Sequence, residues 1–392
     1  MNKVIYLDNA ATTPVDRRVL EKMLPFFSEK FANPATKWTS SLSKEVDDYI
    51  EEARENIANL LNADVEEIYF TSGGTESDNA AIKGIAWANR DKGSEIISTH
   101  IEHEAVLRPL ETLARQGFTI KFVPVDSKGF VYPDEVKKLI TKHTILISIM
   151  HANNEIGSIE AIEEIGKIAR ENGIYFHTDA VQTVGHVPVD VKAMNIDLLS
   201  LSAHKFYGPK GVGALFVRRD TNIAPFMEGG GQERGLRSGT LNSTGIVGLG
   251  EAAKIAKAEM AFNEERIRKI RDTLFESIQR EIPEVYLNGA EGEKRLSGNL
   301  NFVIKGIRSE PLLTTMNERG IVIGGGSACS AGSKEPSHVL RAIAVPDDDL
   351  FSGIRMTIGK FNSEDEVMPI VINLKDAVKK LRDLSPFWMK GD

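Results

Sequence analysis

A chain of 392 residues, 41% hydrophobic and 27% charged, is an ordinary globular composition, long enough for a large domain and a smaller one. Its net charge of −8 argues against nonspecific nucleic-acid binding, which needs a basic surface. No stretch approaches the roughly 18 apolar residues of a membrane span, and the single cysteine, Cys329, excludes an internal disulfide or an all-cysteine metal site.

The opening run Met1 to Asp8 lacks the apolar core of a signal peptide, so a cytoplasmic protein is expected, with no membrane contact. From about Glu66 to Phe216, short β-rich runs alternate with longer amphipathic ones. Ile68–Thr71 reads as a strand, and a helix opens near Thr75. Glu95–Ser98 and Thr119–Val123 follow as strands. Thr144–Met150 is almost wholly apolar, the signature of a central strand in a parallel sheet. A helix is predicted from Ala161 to Glu171, stopped at Asn172-Gly173, and Gly173–Asp179 is the next strand. Beyond Leu241 the pattern changes. A charged helix is predicted from Gly250 to about Arg280, halted by Pro283, then a strand at Asn299–Ile304 and a helix at Pro311–Glu318. Strands alternating with helices predict an α/β large domain with a mostly parallel sheet, followed by a smaller α+β domain, with the boundary near residue 255.

Several connections carry chemistry. Thr71 to Ser77 includes Gly73, Gly74 and Thr75 between a strand and a helix, which suits a phosphate on the helix N-terminus; alone, it is also an ordinary turn capped by Thr75. His103, between Glu102 and Glu104, can stack on a planar group and move protons, or is a surface histidine; His100 is read as structural. Asn154 follows a central strand, where α/β sheets bind ligands, and can hold a carboxylate. Asp179 ends its strand, and Gln182 comes three residues later. Ser202, His204 and Lys205 precede an aromatic Phe206-Tyr207 pair; desolvation there favours an imine-forming amine. A lysine that can hold an aldehyde and an upstream aspartate that can protonate a ring nitrogen are what pyridoxal 5'-phosphate requires. The glycine-rich run 229–240 carries Arg234, Arg237 and Thr240 and suits a phosphate or a neighbouring subunit. Cys329 sits among glycines and serines, a setting for an exposed, reactive thiol. Arg355 is a candidate carboxylate clamp or a plain strand arginine.

Together Ser202-Ala203-His204-Lys205, Arg237-Ser238-Gly239-Thr240 and Ser327-Ala328-Cys329 resemble the Nif/Isc-type cysteine desulfurases among the fold-type I pyridoxal-phosphate enzymes. The likeness covers nearly the whole chain and points to the group with the longer cysteine loop. It implies a large cofactor domain of residues 16–255 and a small α+β domain of residues 1–15 and 256–392. It also implies that Lys205 links the cofactor, His103 stacks on its ring, Asp179 pairs with the ring nitrogen and Gln182 with the ring hydroxyl. Gly74, Thr75, Ser202 and His204 would bind the phosphate, joined by Thr240 from the other subunit of a homodimer. Asn154 and Arg355 would hold the carboxylate of L-cysteine, and Cys329 would take its sulfur as a persulfide, leaving L-alanine. The sulfur would pass to an acceptor such as an iron–sulfur scaffold, or toward tRNA thiolation. The competing readings are a selenocysteine lyase or other pyridoxal-phosphate aminotransferase relative, and a catalytically weak sulfur carrier. Asn33-Pro34 is not followed by the histidine frequent in the family.

Overall fold

The computed structural model describes residues 4–325, 335–385 and 388. Strand β1 (Ile5–Leu7) leads through α1 (Arg17–Met23) and the long α2 (Ser41–Leu61) into the large sheet. There β2 (Ile68–Thr71), α3 (Gly74–Ala88), β3 (Glu95–Thr99), α4 (Glu104–Arg115), β4 (Thr119–Val123) and α5 (Pro133–Leu139) succeed one another. They are followed by β5 (Thr144–Ser148), α6 (Ile162–Glu171), β6 (Tyr175–Asp179), β7 (Leu198–Ser202) and β8 (Gly213–Val217). The order across this seven-stranded sheet is β2-β8-β7-β6-β5-β3-β4. Only β8 runs against the others, because it is antiparallel to both β2 and β7. The carboxyl ends of β2, β3, β5, β6 and β7 therefore face one edge.

Helix α7 (Ser243–Glu281) then crosses to a second sheet. This sheet comprises β9 (Val285–Leu287), β10 (Asn299–Ile304), β11 (Ile321–Gly325) and β12 (Gly353–Thr357), with α8 (Ser309–Glu318), α9 (His338–Ala342) and α10 (Val367–Leu384) between and after them. β1 joins this sheet, parallel to β11 with Ile5 opposite Ile321, in the order β1-β11-β12-β10-β9. One apolar core lies between the large sheet, α2 and the first part of α7, from Val19 to Ile255. Another joins the small sheet to the second part of α7, α8 and α10, including Ile267, Leu274, Phe302 and Met356. Among the described residues, no helix is long and apolar enough to cross a membrane.

Two elements differ from their sequence signals for physical reasons. The apolar run 144–150 pairs as a strand only to Ser148, because the Met150 N–H donates to the Glu102 side chain instead. Helix α7 begins at Ser243, capped by Asn242, well before Gly250. Its early glycines are contact points, not breaks: a Cβ on Gly250 would stand 2.4 Å from Ala53 Cα. Glycine there lets α7 lie against α2.

Candidate active site

The strand ends of the large sheet and the facing side of the small sheet enclose a cavity of about 300 Å³. Gly74, Thr75, His103, Asn154, Asp179, Gln182, Ser202, His204, Lys205 and Arg355 all line it. These ten come from the connections after β2, β3, β5, β6 and β7, and from β12. Thr240 is exposed and is not among the lining residues. Cys329 lies outside the described residues.

At one end, α3 begins at Gly74 with no side-chain cap on its first turn. Its leading amides and the partial positive charge of the helix N-terminus face the cavity beside Ser202 and His204. A Cβ on Gly74 would lie 2.6 Å from Val181 Cγ2, so only glycine lets the turn approach the Asp179–Gln182 segment this closely. His204 Nδ1 is 3.1 Å from the Thr12 hydroxyl. Burial, then the Lys205 and Lys210 charges, push His204 down to about 4, so it serves as a neutral hydrogen-bonding group.

Asp179 is buried at the end of β6, and its Oδ1 accepts the Val181 N–H at 2.9 Å. Burial and then the Asp78 carboxylate raise its pKa, while His103 opposes them. A positive ring nitrogen placed here would draw Asp179 back to its charged form. Asp78 also lines the cavity and lies 3.5 Å from His177 Nε2. His103 caps α4 through Nδ1, which accepts the Ala105 N–H at 3.1 Å. That contact places the proton of the neutral ring on Nε2.

Lys205 follows β7 on a short 3₁₀ turn, Ala203–Lys205. Its Nζ donates to the main-chain oxygens of Ala10 and Ala11, the latter at 2.8 Å. Gln182 Nε2 donates to the same Ala10 oxygen at 3.1 Å. On the opposite wall, Arg355 is buried, with Nη2 2.7 Å from Asp8 Oδ1 and Nη1 3.1 Å from the Asn154 oxygen. Its Nε has no hydrogen-bond partner among the described residues. The Asn154 turn is fixed by Asn153, which accepts the N–H groups of Glu155 and Ile156 and donates to Ile101. Burial pushes Glu155 up to about 7, although Ser337 donates to it at 2.5 Å.

Asp8, Ala10, Ala11, Thr12 and Asp78 have no role in the sequence argument, yet each touches or lines the site. For Asp8 to Thr12 the only advance signal is the small, polar run Asp8 to Thr13; Asp78 falls inside α3. His100 stacks on Phe122 with centroids 3.9 Å apart, and Arg237 pairs with Glu76 at 2.7 Å, anchoring the glycine-rich run to α3.

The arrangement offers anion-binding donors at one end, a buried carboxylate at the other, a lysine amine between them and an arginine across the gap. Residues 5–369 match the aminotransferase class-V family model. The chain is 50% identical over 389 residues to the cysteine desulfurase IscS of Methanosarcina thermophila, covering 99% of this chain and 95% of that protein. Among solved structures, a NifS-like protein superposes with a TM-score of 0.90 at 37% identity, over 96% of this chain and all of the other. SspA in complex with cysteine superposes at 0.81 with 38% identity, over 92% of this chain and all of the other.

Proposed function

The chain belongs to the aminotransferase class-V family and is a cysteine desulfurase, and we propose that it works through pyridoxal 5'-phosphate held in the cavity described above. The observation that carries this reading is the single cavity shared by Lys205, Asp179, the open end of α3 and Arg355. The residues fit the cofactor: an uncapped helix start for its phosphate, a carboxylate for its ring nitrogen and an amine for its aldehyde. The cofactor, when bound, supplies an electron sink for the substrate carbanion.

The chain's own residues do the rest. Ser202 and His204, with the α3 amides, hold the phosphate; Thr240 joins them from the partner subunit of a homodimer. With the cofactor bound, Asp179 would keep its ring nitrogen protonated, Gln182 would serve its ring hydroxyl and His103 would pack on the ring. Arg355 and Asn154 take the carboxylate of L-cysteine, since a guanidinium matches a carboxylate with two parallel hydrogen bonds. Lys205 Nζ moves the proton at the substrate Cα. The Cys329 thiolate attacks the substrate sulfur: the Cβ–S bond breaks, an S–S bond forms, and the carbon skeleton gains a proton to leave as L-alanine. No outside oxidant or reductant is needed, and Cys329 is left as a persulfide. The sulfur passes to an acceptor such as an iron–sulfur scaffold in the cytoplasm. We take the large domain as residues 16–255 and the small one as residues 1–15 and 256–392.

Alanine release from L-cysteine under excess reductant tests this, comparing the cofactor-loaded protein with Cys329→Ser. Turnover that requires Cys329 is expected. A Cys329→Ser protein that still carries a protein-bound persulfide sinks the proposed role of that thiol.

A further inference from the structure

Beside Lys205 lies a second chamber, lined by polar and apolar side chains, that the proposed chemistry does not use. Its volume is about 40 Å³. Lys205 lines it with His186, Glu264, Tyr207 and Gln182. Lys205 and Gln182 therefore form the wall between this chamber and the larger cavity.

His186 spans the gap between α7 and the lysine turn. Its Nδ1 is 3.0 Å from Glu264 Oε1, and its Nε2 is 3.0 Å from the main-chain oxygen of Lys205. A carbonyl oxygen only accepts, so Nε2 carries a hydrogen. A carboxylate also only accepts, so Nδ1 carries one as well. With Glu264 as a carboxylate, both contacts are satisfied by an imidazolium bridging it and the lysine turn. Burial opposes that charge, but Glu264 and the Lys205 oxygen outweigh it and hold His186 above its ordinary range. The other charged group acting on it is the Lys360 ammonium, which opposes it and sits 4.3 Å from the Tyr207 ring centroid. Lys360 is itself paired with Asp16, and the neighbouring Glu259 is bound by Arg18 at 2.5 Å.

We propose that His186, held charged by Glu264, is a positioning residue for Lys205: it clamps the main chain of the lysine turn and sets a fixed positive charge behind the lysine nitrogen. That charge disfavours a second positive charge on the nitrogen once it is linked to the cofactor. The nitrogen then stays neutral near neutrality and is ready to take the proton of an incoming substrate ammonium. The carboxylate lies on the far side of the ring, so the pair presents its positive end to Lys205.

The inference rests on reading Lys205 as the cofactor lysine, and borohydride trapping with peptide mapping tests that reading separately. A label on another lysine overturns both. With the label on Lys205, the visible absorption of the loaded protein is titrated from below neutrality into the lysine range. In His186→Gln, which removes the cation and leaves Glu264 charged, the midpoint rises by about half a pH unit or more. Glu264→Gln moves it the same way by less, since the ring keeps its donor to Lys205 but loses the reason to be charged. Midpoints unmoved in both variants overturn the proposal. Nitrogen-15 spectra of histidine-labelled wild type, with His186 assigned through the variant, give an independent reading that holds even if one variant misfolds. Two protonated ring nitrogens near neutrality are expected, and a neutral ring overturns it.

Discussion

The two walls of the cavity are made in different ways. The wall that carries Asp179, Ser202, His204 and Lys205 belongs to neighbouring strands of one sheet, β6 and β7, whose ladder fixes the side chains relative to one another. The opposite wall is pieced together: Asn154 from a turn after β5, Arg355 from the small sheet, and Asp8 from the connection after β1. The first arrangement suits groups that must stay in register with a rigid ring. The second suits groups that close on a substrate as two sheets meet. Damage to the first wall should therefore appear in turnover, and damage to the second in binding and in the union of the sheets.

The largest effect should come from Asp179→Asn, which removes the charge opposite the ring nitrogen. A turnover loss on the order of 10²-fold or more is expected, the scale of one preorganised charge at a reacting centre, with little change in KM. A change confined to KM would break the distinction between the walls. Next is Arg355→Ala, for which KM for L-cysteine should rise roughly 10- to 100-fold, the cost of one bidentate charged contact. Because Arg355 is 1% exposed and its partner Asp8 18%, the same variant should lose about 1–3 kcal/mol of stability. Asp8→Asn in that background should restore part of it, which a double-mutant cycle in denaturant would measure.

The smallest effect sharpens the picture of the second wall. Its turn carries buried Glu155 and ends near Glu160, raised mainly by burial to about 7 and about 8. For acids raised in the folded state, the folded protein binds more protons than the unfolded chain between the two pKa values. Their presence therefore lowers stability as pH climbs from the ordinary carboxylate range, about 4.3, through 7 to 8. Thermal melts of the cofactor-free protein should fall across that window. Glu160→Gln should flatten the slope by on the order of 1 kcal/mol per pH unit, and a slope unchanged by the substitution would move its source elsewhere.

Much of the first wall was readable because strand ends announce themselves. An apolar run that stops at a carboxylate, as at Asp179, and a β run that stops before His204-Lys205 both place functional groups at one sheet edge. The second wall was harder. Arg355 was a candidate clamp with a plain strand reading beside it, and no pattern named its partner Asp8, 347 positions away. The oxygens that receive Lys205 are main-chain atoms of alanines 194 and 195 positions upstream, and no side-chain pattern marks a carbonyl. Asp78 sits within the regular run of α3, where periodicity says helix and nothing more. The predicted helix starts only at Gly250, because pattern alone does not separate the glycine-containing first turns of α7 from a connection. Only tertiary placement separates these cases.

The chain's first strand has a consequence for how the protein comes into being. β1 precedes the large sheet in the chain, yet its ladder partner begins at Ile321 and its neighbouring arginine is Arg355. The large sheet can assemble while synthesis continues, since its last strand ends at Val217. The Ala10 and Ala11 oxygens cannot be anchored under Lys205 from the small-sheet side until β11 has been made. A nascent or prematurely ended chain would therefore carry a formed large core beside an incomplete catalytic wall. Formation of the large sheet and completion of the catalytic wall are separated by the synthesis of the chain between Val217 and Arg355.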